Sequence, residues 1–183
     1  MKDIYNRLYR GNYNSESSTD SAYKFSFVEK FLKKESKREY VYDMGSGRGF
    51  NTRGMLELGE TVISVDFSDV IDTYEPAENL TTHKSDIVEF ADRKSYDNSE
   101  IVCMDVLEHV EPDRIKVLMD RFSTLSPRAL YGIANHSDRQ GEELHLIREG
   151  WKWWDDLLSE YYKSVIYIPT RHGDRFFVFE ATR

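Results

Sequence analysis

The chain has 183 residues and is 39% hydrophobic, which is enough to bury the core of one medium-sized domain. Its net charge of −8 argues against a general nucleic-acid binder, because neutralising phosphates requires a basic surface. The single cysteine, Cys103, excludes an internal disulfide and a thiolate cluster for zinc. No apolar run approaches the roughly 18 residues of a membrane span and no signal peptide opens the chain, so we expect a cytoplasmic protein.

The first 20 residues differ in composition from the rest of the chain, since they are polar and rich in tyrosine. We predict a mobile N-terminal arm or lid over residues 1–20, followed by a single domain over residues 21–183. Tyr5, Tyr9 and Tyr13 recur every four residues, which is typical of one face of a helix that closes over a ligand. Disorder in the absence of a ligand is the alternative interpretation.

Strands alternate with helices from Tyr40 onward. Seven strands are predicted, in the segments EYVYDM, TVISVDFS, LTTHKSD, SEIVCMDVL, RALYGIAN, KSVIYIP and RFFVFEAT. The alternation predicts an α/β fold, a doubly wound and mostly parallel seven-stranded sheet with helices on both faces. The last two strands are joined by TRHGD, which is too short for a crossover, so they should form an antiparallel C-terminal hairpin.

The segment VYDMGSGRGFNTRGM places three glycines at alternate positions directly after the first strand. Ligands of such sheets bind beyond the carboxyl ends of the strands, so this loop lies where a ligand is expected. The dinucleotide fingerprint Gly-x-Gly-x-x-Gly/Ala does not fit, because Phe50 or Thr52 occupies its last position. A phosphate-binding P-loop does not fit either, because Met55 stands where lysine is required.

After these two motifs are excluded, the remaining pattern is an acidic residue followed by alternate glycines. Further acids follow the next three strands. The acids of this series are Asp43, Asp66, Asp86 and Asp105. The series resembles the first motif and the strand-end acids of class I S-adenosylmethionine-dependent methyltransferases, of the type that acts on small molecules. The resemblance covers about residues 39–135.

This resemblance implies that S-adenosylmethionine binds along the strand ends. The glycine loop would contact its methionine part, Asp66 would accept hydrogen bonds from both ribose hydroxyls, and Asp86 would accept one from the adenine amino group. Phe67 and Ile87 would flank the adenine ring. The cofactor-binding residues implied in this way are Asp43, Gly45, Ser46, Gly47, Gly49, Asp66, Phe67, Asp86, Ile87, Asp105 and Val106.

The resemblance further implies in-line transfer of a methyl group to an oxygen or nitrogen atom, with S-adenosylhomocysteine as product. Such a reaction needs alignment and exclusion of water, and it needs a general base only where the acceptor must lose a proton. His136 and His145 follow the fifth strand, where the acceptor should enter, and His109 lies near the expected methyl group. These three histidines are the candidate catalytic residues, with packing or surface roles as the alternative.

The absence of several known motifs limits the class of methyl acceptor. The segment DVLE after the fourth strand is not the Asn/Asp-Pro-Pro-Tyr/Phe of nucleobase amino-methyltransferases, and no proline precedes Cys103, so DNA is not an expected substrate. No metal site is predicted, because neither His-Glu-x-x-His nor a Cys/His spacing occurs. We expect a small-molecule or sugar-like acceptor, no membrane partner, and a monomer or homodimer. The alternatives are a catalytically silent S-adenosylmethionine-binding regulatory or scaffold domain, and an enzyme that methylates a protein or RNA partner.

Overall fold

The structure is a computed structural model, and it describes residues 2–11, 19–34, 38–91, 98–138 and 143–183. The helices are α1 (Lys2–Arg10), α2 (Thr19–Leu32), α3 (Phe50–Glu57), α4 (Ile87–Phe90), α5 (Ile115–Leu125) and α6 (Trp151–Ser159). The strands are β1 (Tyr40–Met44), β2 (Val62–Asp66), β3 (Leu80–Lys84), β4 (Ser99–Met104), β5 (Arg128–Ala134), β6 (Ser164–Ile168) and β7 (Phe176–Thr182). Single turns of 3-10 helix lie at Asp69–Thr73, Leu107–His109 and Gly173–Arg175.

Within the described residues, the seven strands form one sheet in the order β3-β2-β1-β4-β5-β7-β6. Strands β1 to β5 pair in parallel, whereas β7 is antiparallel to both β5 and β6. The predicted α/β fold and its antiparallel C-terminal hairpin are therefore confirmed. The chain passes from β1 to one side of the sheet and returns to the other side at β4, which creates a switch point where such sheets bind ligands.

Both faces of the central strands β1, β4 and β5 are buried, whereas the edge strands β3 and β6 are largely exposed or half-buried. In β4, Ile101 and Cys103 belong to the core under α4, α5 and α6, while Val102 and Met104 belong to the core under α2 and α3. Successive side chains of a strand point to opposite faces, so the central strands contribute to both cores. A fully buried side chain such as Leu118 contributes roughly 1.5–3 kcal/mol relative to an exposed one.

The N-terminal segment forms helix α1, and its contacts place it over the carboxyl end of the sheet. The Asn6 amide nitrogen donates to Asp69 Oδ2 at 2.9 Å, and the Asp69 main-chain nitrogen donates to Asn6 Oδ1 at 2.7 Å. Tyr5 is buried, with its ring edge-on to Phe67 at a centroid distance of 5.5 Å. Tyr13, the third residue of the predicted tyrosine face, lies outside the described residues.

None of the helices in the described part of the chain combines the length and the apolar character that crossing a membrane requires.

Candidate functional site

The glycine loop adopts a backbone conformation that side-chain-bearing residues rarely reach. Gly45, Gly47 and Gly49 have φ values of 77°, 53° and 77°, all in the left-handed region. A Cβ atom added at Gly45 would lie 2.4 Å from Cγ2 of Val106. The loop can therefore follow this path, close against the turn after β4, only because glycine occupies these positions.

Two adjoining cavities open at the carboxyl ends of β1, β2 and β4. The apolar cavity, of about 100 Å³, is walled mainly by Phe67, Ile87, Val88, Val106 and Val110 and also reaches Asp66, Asp86 and Arg114. The polar cavity, of about 260 Å³, is lined by residues that include Lys24, Ser46, Gly47, His136, Asp138 and His145. The residues that line both cavities are Tyr5, Tyr9, Gly45, Asp105 and His109.

Most residues that the resemblance assigned to the cofactor border these cavities, but Asp43 and Gly49 do not lie on their walls. Asp43 is 1% exposed and accepts a hydrogen bond of 2.6 Å from the Thr52 hydroxyl, which also lies 2.6 Å from the Ser64 hydroxyl. Burial raises the pKa of Asp43 to about 7, against the opposing effect of the Thr52 hydrogen bond, and Asp66 adds to the increase. Asp43 thus supports the loop from beneath in this structure.

Asp66, at the end of β2, holds the glycine loop directly. Its Oδ2 accepts the Gly47 main-chain N–H at 2.8 Å, and its Oδ1 accepts both the main-chain N–H of Ser68 at 2.8 Å and the Ser68 hydroxyl at 2.5 Å. Burial raises the pKa of Asp66, and these hydrogen bonds oppose that effect. A carboxylate offers about four acceptor positions, so roughly one position of Asp66 remains.

Asp86 lies two residues beyond β3, where it caps α4 and pairs with a cation. Oδ1 accepts the main-chain N–H of Val88 at 2.8 Å, and both carboxylate oxygens accept from the Arg114 guanidinium, at 2.9 and 3.1 Å. Bidentate pairs of this kind fix orientation as well as adding energy. Arg114 therefore presets the carboxylate at the rim of the apolar cavity.

Asp105 follows β4 and has a φ of 57°, which is unusual for a residue other than glycine. The ammonium group of Lys24, from α2, contacts both of its oxygens, at 3.0 and 2.8 Å, and lies 4.7 Å from the centre of the Phe176 ring. Burial of Lys24 disfavours its charge, but Asp105 and Asp20 outweigh this and raise the pKa of Lys24. The pair links α2 to the floor of both cavities.

The three predicted histidines lie together on the polar cavity. The His145 ring lies 4.7 Å from the His109 ring and 4.9 Å from the His136 ring, between centroids. Burial, with a further effect of His145, lowers the pKa of His109 to about 4, and burial also lowers the pKa of His145. Both imidazoles are therefore neutral at neutral pH.

Glu108, between these groups, is a residue that the sequence analysis missed. It is 0% exposed, and burial followed by the charge of Asp105 raises its pKa well above the usual range. Its Oε1 accepts the Ala134 main-chain N–H at 3.0 Å, whereas Oε2 has no hydrogen-bond partner among the described residues. Its place beside His109 in the segment LEHV was the only sequence signal for it. Lys24 and Arg114 were also missed, because nothing in their local sequence indicates a partner.

The protein has the fold of class I S-adenosylmethionine-dependent methyltransferases. A methyltransferase of this kind from Archaeoglobus fulgidus matches it with a TM-score of 0.73 at 13% identity, over 99% of each chain. The 1,6-didemethyltoxoflavin-N1-methyltransferase of Burkholderia thailandensis, solved with 1,6-didemethyltoxoflavin and S-adenosylhomocysteine bound, matches with 0.68 at 17% identity, over 99% of this chain and 84% of its own. A small RNA methyltransferase matches with 0.71 at 18% identity, over 89% of this chain but 25% of its own. No family model and no curated protein matches the sequence.

Proposed function

We propose that the protein is an S-adenosylmethionine-dependent methyltransferase that acts on an oxygen or nitrogen atom of a small-molecule or sugar-like acceptor. The observation that carries the proposal is the pair of cavities that meet at Gly45, Asp105 and His109, one narrow and apolar, the other larger and polar. A purine ring fits the first environment and a hydrogen-bonding acceptor fits the second. The small-molecule acceptor and S-adenosylhomocysteine named for the B. thailandensis relative support this division.

The residues of the apolar cavity fit an adenosine group. Phe67, Ile87 and Val106 supply apolar walls, and the remaining acceptor position of Asp66 would take a ribose hydroxyl. Oδ2 of Asp86, which receives one hydrogen bond from Arg114, would accept from the adenine amino group. The methionine part would lie against the bare backbone of the glycine loop.

When bound, S-adenosylmethionine supplies a sulfonium-activated methyl group, which an acceptor atom displaces in line to leave S-adenosylhomocysteine. The chain's own residues would then align the acceptor and exclude water. The lowered pKa values of His109 and His145 make them weak proton acceptors, so we assign them to orientation of the acceptor. His136, on the exposed side of the same group, remains the proposed general base where the acceptor must lose a proton.

Helix α1 is proposed as the lid of this site, with residues 21–183 as the single domain beneath it. Tyr5 and Tyr9 form walls of both cavities, and the Tyr5 hydroxyl lies 2.7 Å from Nδ1 of His109. The Arg48 guanidinium donates to the carbonyl oxygens of Tyr9 and Gly11, at 2.6 and 2.7 Å, which ties the lid to the glycine loop. Cofactor exchange would require these contacts to open.

Calorimetric titration with S-adenosylmethionine and S-adenosylhomocysteine, with NAD and ATP as controls, tests the proposal. We expect micromolar binding of the first pair only. Asp66→Asn keeps the size of the side chain but removes its charge, and it should weaken binding roughly 10-fold or more, because hydrogen bonds to a charged group contribute about 1.5–3 kcal/mol. The matched control is Asp156→Asn, an exposed acid that pairs with Lys152 in α6 and lines neither cavity.

The result that overturns the proposal is the absence of binding by the sulfonium compound and its product, or equal binding by NAD. Turnover with a panel of hydroxyl- and amine-bearing acceptors then separates an enzyme from a silent cofactor-binding domain.

A further inference from the structure

Three potential metal ligands converge on the wall of the polar cavity. One ligand atom from each of Glu108, His109 and His145 lies within 4.8 Å of the other two. Main-chain hydrogen bonds hold their segments together, since the N–H groups of Leu146 and Ile147 both donate to the Glu108 carbonyl oxygen, at 2.7 and 3.1 Å. The arrangement joins the turn after β4 to the segment that precedes α6. Because these segments are distant in the chain, local sequence does not indicate the cluster.

The carboxylate of Glu108 has an oxygen that lacks a partner. The side chain is completely buried, and Oε1 is used by the Ala134 N–H, but Oε2 receives no hydrogen bond from any described residue. Burying a carboxylate oxygen without a donor is unfavourable, and natural proteins rarely leave such atoms unsatisfied. A bound cation would satisfy it.

Both imidazoles contact a main-chain carbonyl oxygen through Nδ1. Nδ1 of His145 lies 2.5 Å from the His136 carbonyl oxygen. Nδ1 of His109 lies 2.9 Å from the Leu144 carbonyl oxygen and 2.7 Å from the Tyr5 hydroxyl oxygen, which can share the same N–H as an acceptor. A carbonyl oxygen only accepts, so Nδ1 carries the proton in each ring and Nε2 keeps its lone pair. Histidines that bind metals typically donate their other ring N–H to a main-chain carbonyl in this way.

We propose that Glu108, His109 and His145 bind one divalent transition-metal ion, such as Zn²⁺, Mn²⁺ or Co²⁺, on the wall of the polar cavity. Two imidazoles and one carboxylate are a set found in open metal sites, which leave positions for further ligands. Ligand atoms at about 2.0–2.2 Å from one ion lie roughly 3–3.5 Å apart, so side-chain shifts of about an ångström would close the site. Oδ2 of Asp138, 3.9 Å from Nε2 of His145, is a further carboxylate oxygen on this side.

The position of the site gives the ion a role that rests on the function proposed above. His109 and His145 both line the polar cavity, so an open coordination position would face the acceptor. An oxygen atom of a hydroxyl-bearing acceptor would then be a ligand of the ion, which favours oxygen over nitrogen as the methylated atom.

The test is a metal titration of the full-length, tag-free protein after treatment with a chelator. Co²⁺ binding is followed by visible absorption, and stoichiometry is measured by calorimetry with Zn²⁺ and Mn²⁺. Glu108→Gln keeps the size of the side chain and its bond from the Ala134 N–H. His145→Gln is a second variant, in a different segment, and His172→Gln is the matched control, since His172 pairs with Asp20 and is not one of the three proposed ligands.

We expect one ion per chain in the wild type and in His172→Gln, and binding at least tenfold weaker in Glu108→Gln and in His145→Gln, with melting temperatures confirming that each variant folds. Failure of the wild type to bind any of the three metals stoichiometrically overturns the proposal, as does unchanged affinity in both cluster variants. S-adenosylhomocysteine is titrated into the same metal-free samples. Binding of that compound without metal binding therefore refutes the metal site alone, and the reverse result refutes the cofactor alone.

Discussion

The buried carboxyl group of Asp43 should make the stability of the folded protein depend on pH, and one substitution should remove this contribution. Its pKa is about 7 in the folded protein and 3.8 for an ordinary aspartate, because burial disfavours the charged form. The folded state therefore binds this proton more tightly than the unfolded state, so the stabilising contribution is present at low pH and is lost as the pH rises from about 4 through about 7. The difference corresponds to roughly 4 kcal/mol of unfolding free energy, at about 1.36 kcal/mol per pH unit.

The measurement is urea unfolding of the wild type and Asp43→Asn at pH 5, 6, 7 and 8, with linear extrapolation to water. Asparagine can still accept the Thr52 hydrogen bond but does not titrate. Relative to the wild type, Asp43→Asn should gain roughly 2–3 kcal/mol between pH 5 and pH 8, since most of the transition lies in that window. Asp69→Asn is the control. The contact with Lys84 lowers the pKa of Asp69, so the difference in unfolding free energy between this variant and the wild type should not change between pH 5 and pH 8. Parallel profiles for the wild type and Asp43→Asn would refute the reasoning.

Two further substitutions test the loop and the lid. Gly45→Ala would bring a Cβ atom within 2.4 Å of Val106, so it should weaken S-adenosylhomocysteine binding at least about tenfold. The control is Gly59→Ala, at a position with φ of 84° and open space around it. This control should cost only about 1–2 kcal/mol of stability and leave binding unchanged. Tyr5→Phe removes the hydroxyl next to His109 but keeps the ring, so stability should fall by about 1 kcal/mol and the dissociation rate of S-adenosylhomocysteine, measured by stopped flow, should rise roughly fivefold. An unchanged rate would contradict the lid.

The sequence was a good guide to the sheet because the relevant signals are local. Buried parallel strands appear as continuous apolar runs, and β4 shows this most clearly, with all six residues buried. Element ends were less accurate. The predicted strand segments LTTHKSD and SEIVCMDVL run two and three residues past the observed strands, since β3 ends at Lys84 and β4 ends at Met104. Such differences reflect turn geometry, which hydrophobic spacing does not encode.

The partners of the site residues could not be predicted, because they come from distant parts of the chain. Lys24 and Asp105 are 81 residues apart, and Tyr5 and His109 are 104 residues apart. Local sequence located the acids but not their partners, such as the main-chain N–H of Gly47, 19 residues away in the chain, which donates to Asp66.

The acids of the site share an excess of negative charge that a cationic ligand would relieve. The negative charge of Asp66 contributes to the raised pKa of Asp43. At the floor of the cavities, the ammonium group of Lys24 already pairs with Asp105. S-adenosylmethionine differs from S-adenosylhomocysteine by one positive charge at sulfur, so the ratio of their affinities isolates the attraction of this charge to the site. The affinity for S-adenosylmethionine relative to S-adenosylhomocysteine should increase a few-fold between pH 6 and pH 8, as Asp43 ionises. The reason is that unit charges roughly 10 Å apart interact by about 0.4–1.7 kcal/mol in surroundings between water and a protein surface. Calorimetry on the wild type and Asp43→Asn measures it, and the variant should show no such increase. A ratio independent of pH in the wild type would mean that the carboxyl group beneath the loop does not influence the methyl donor.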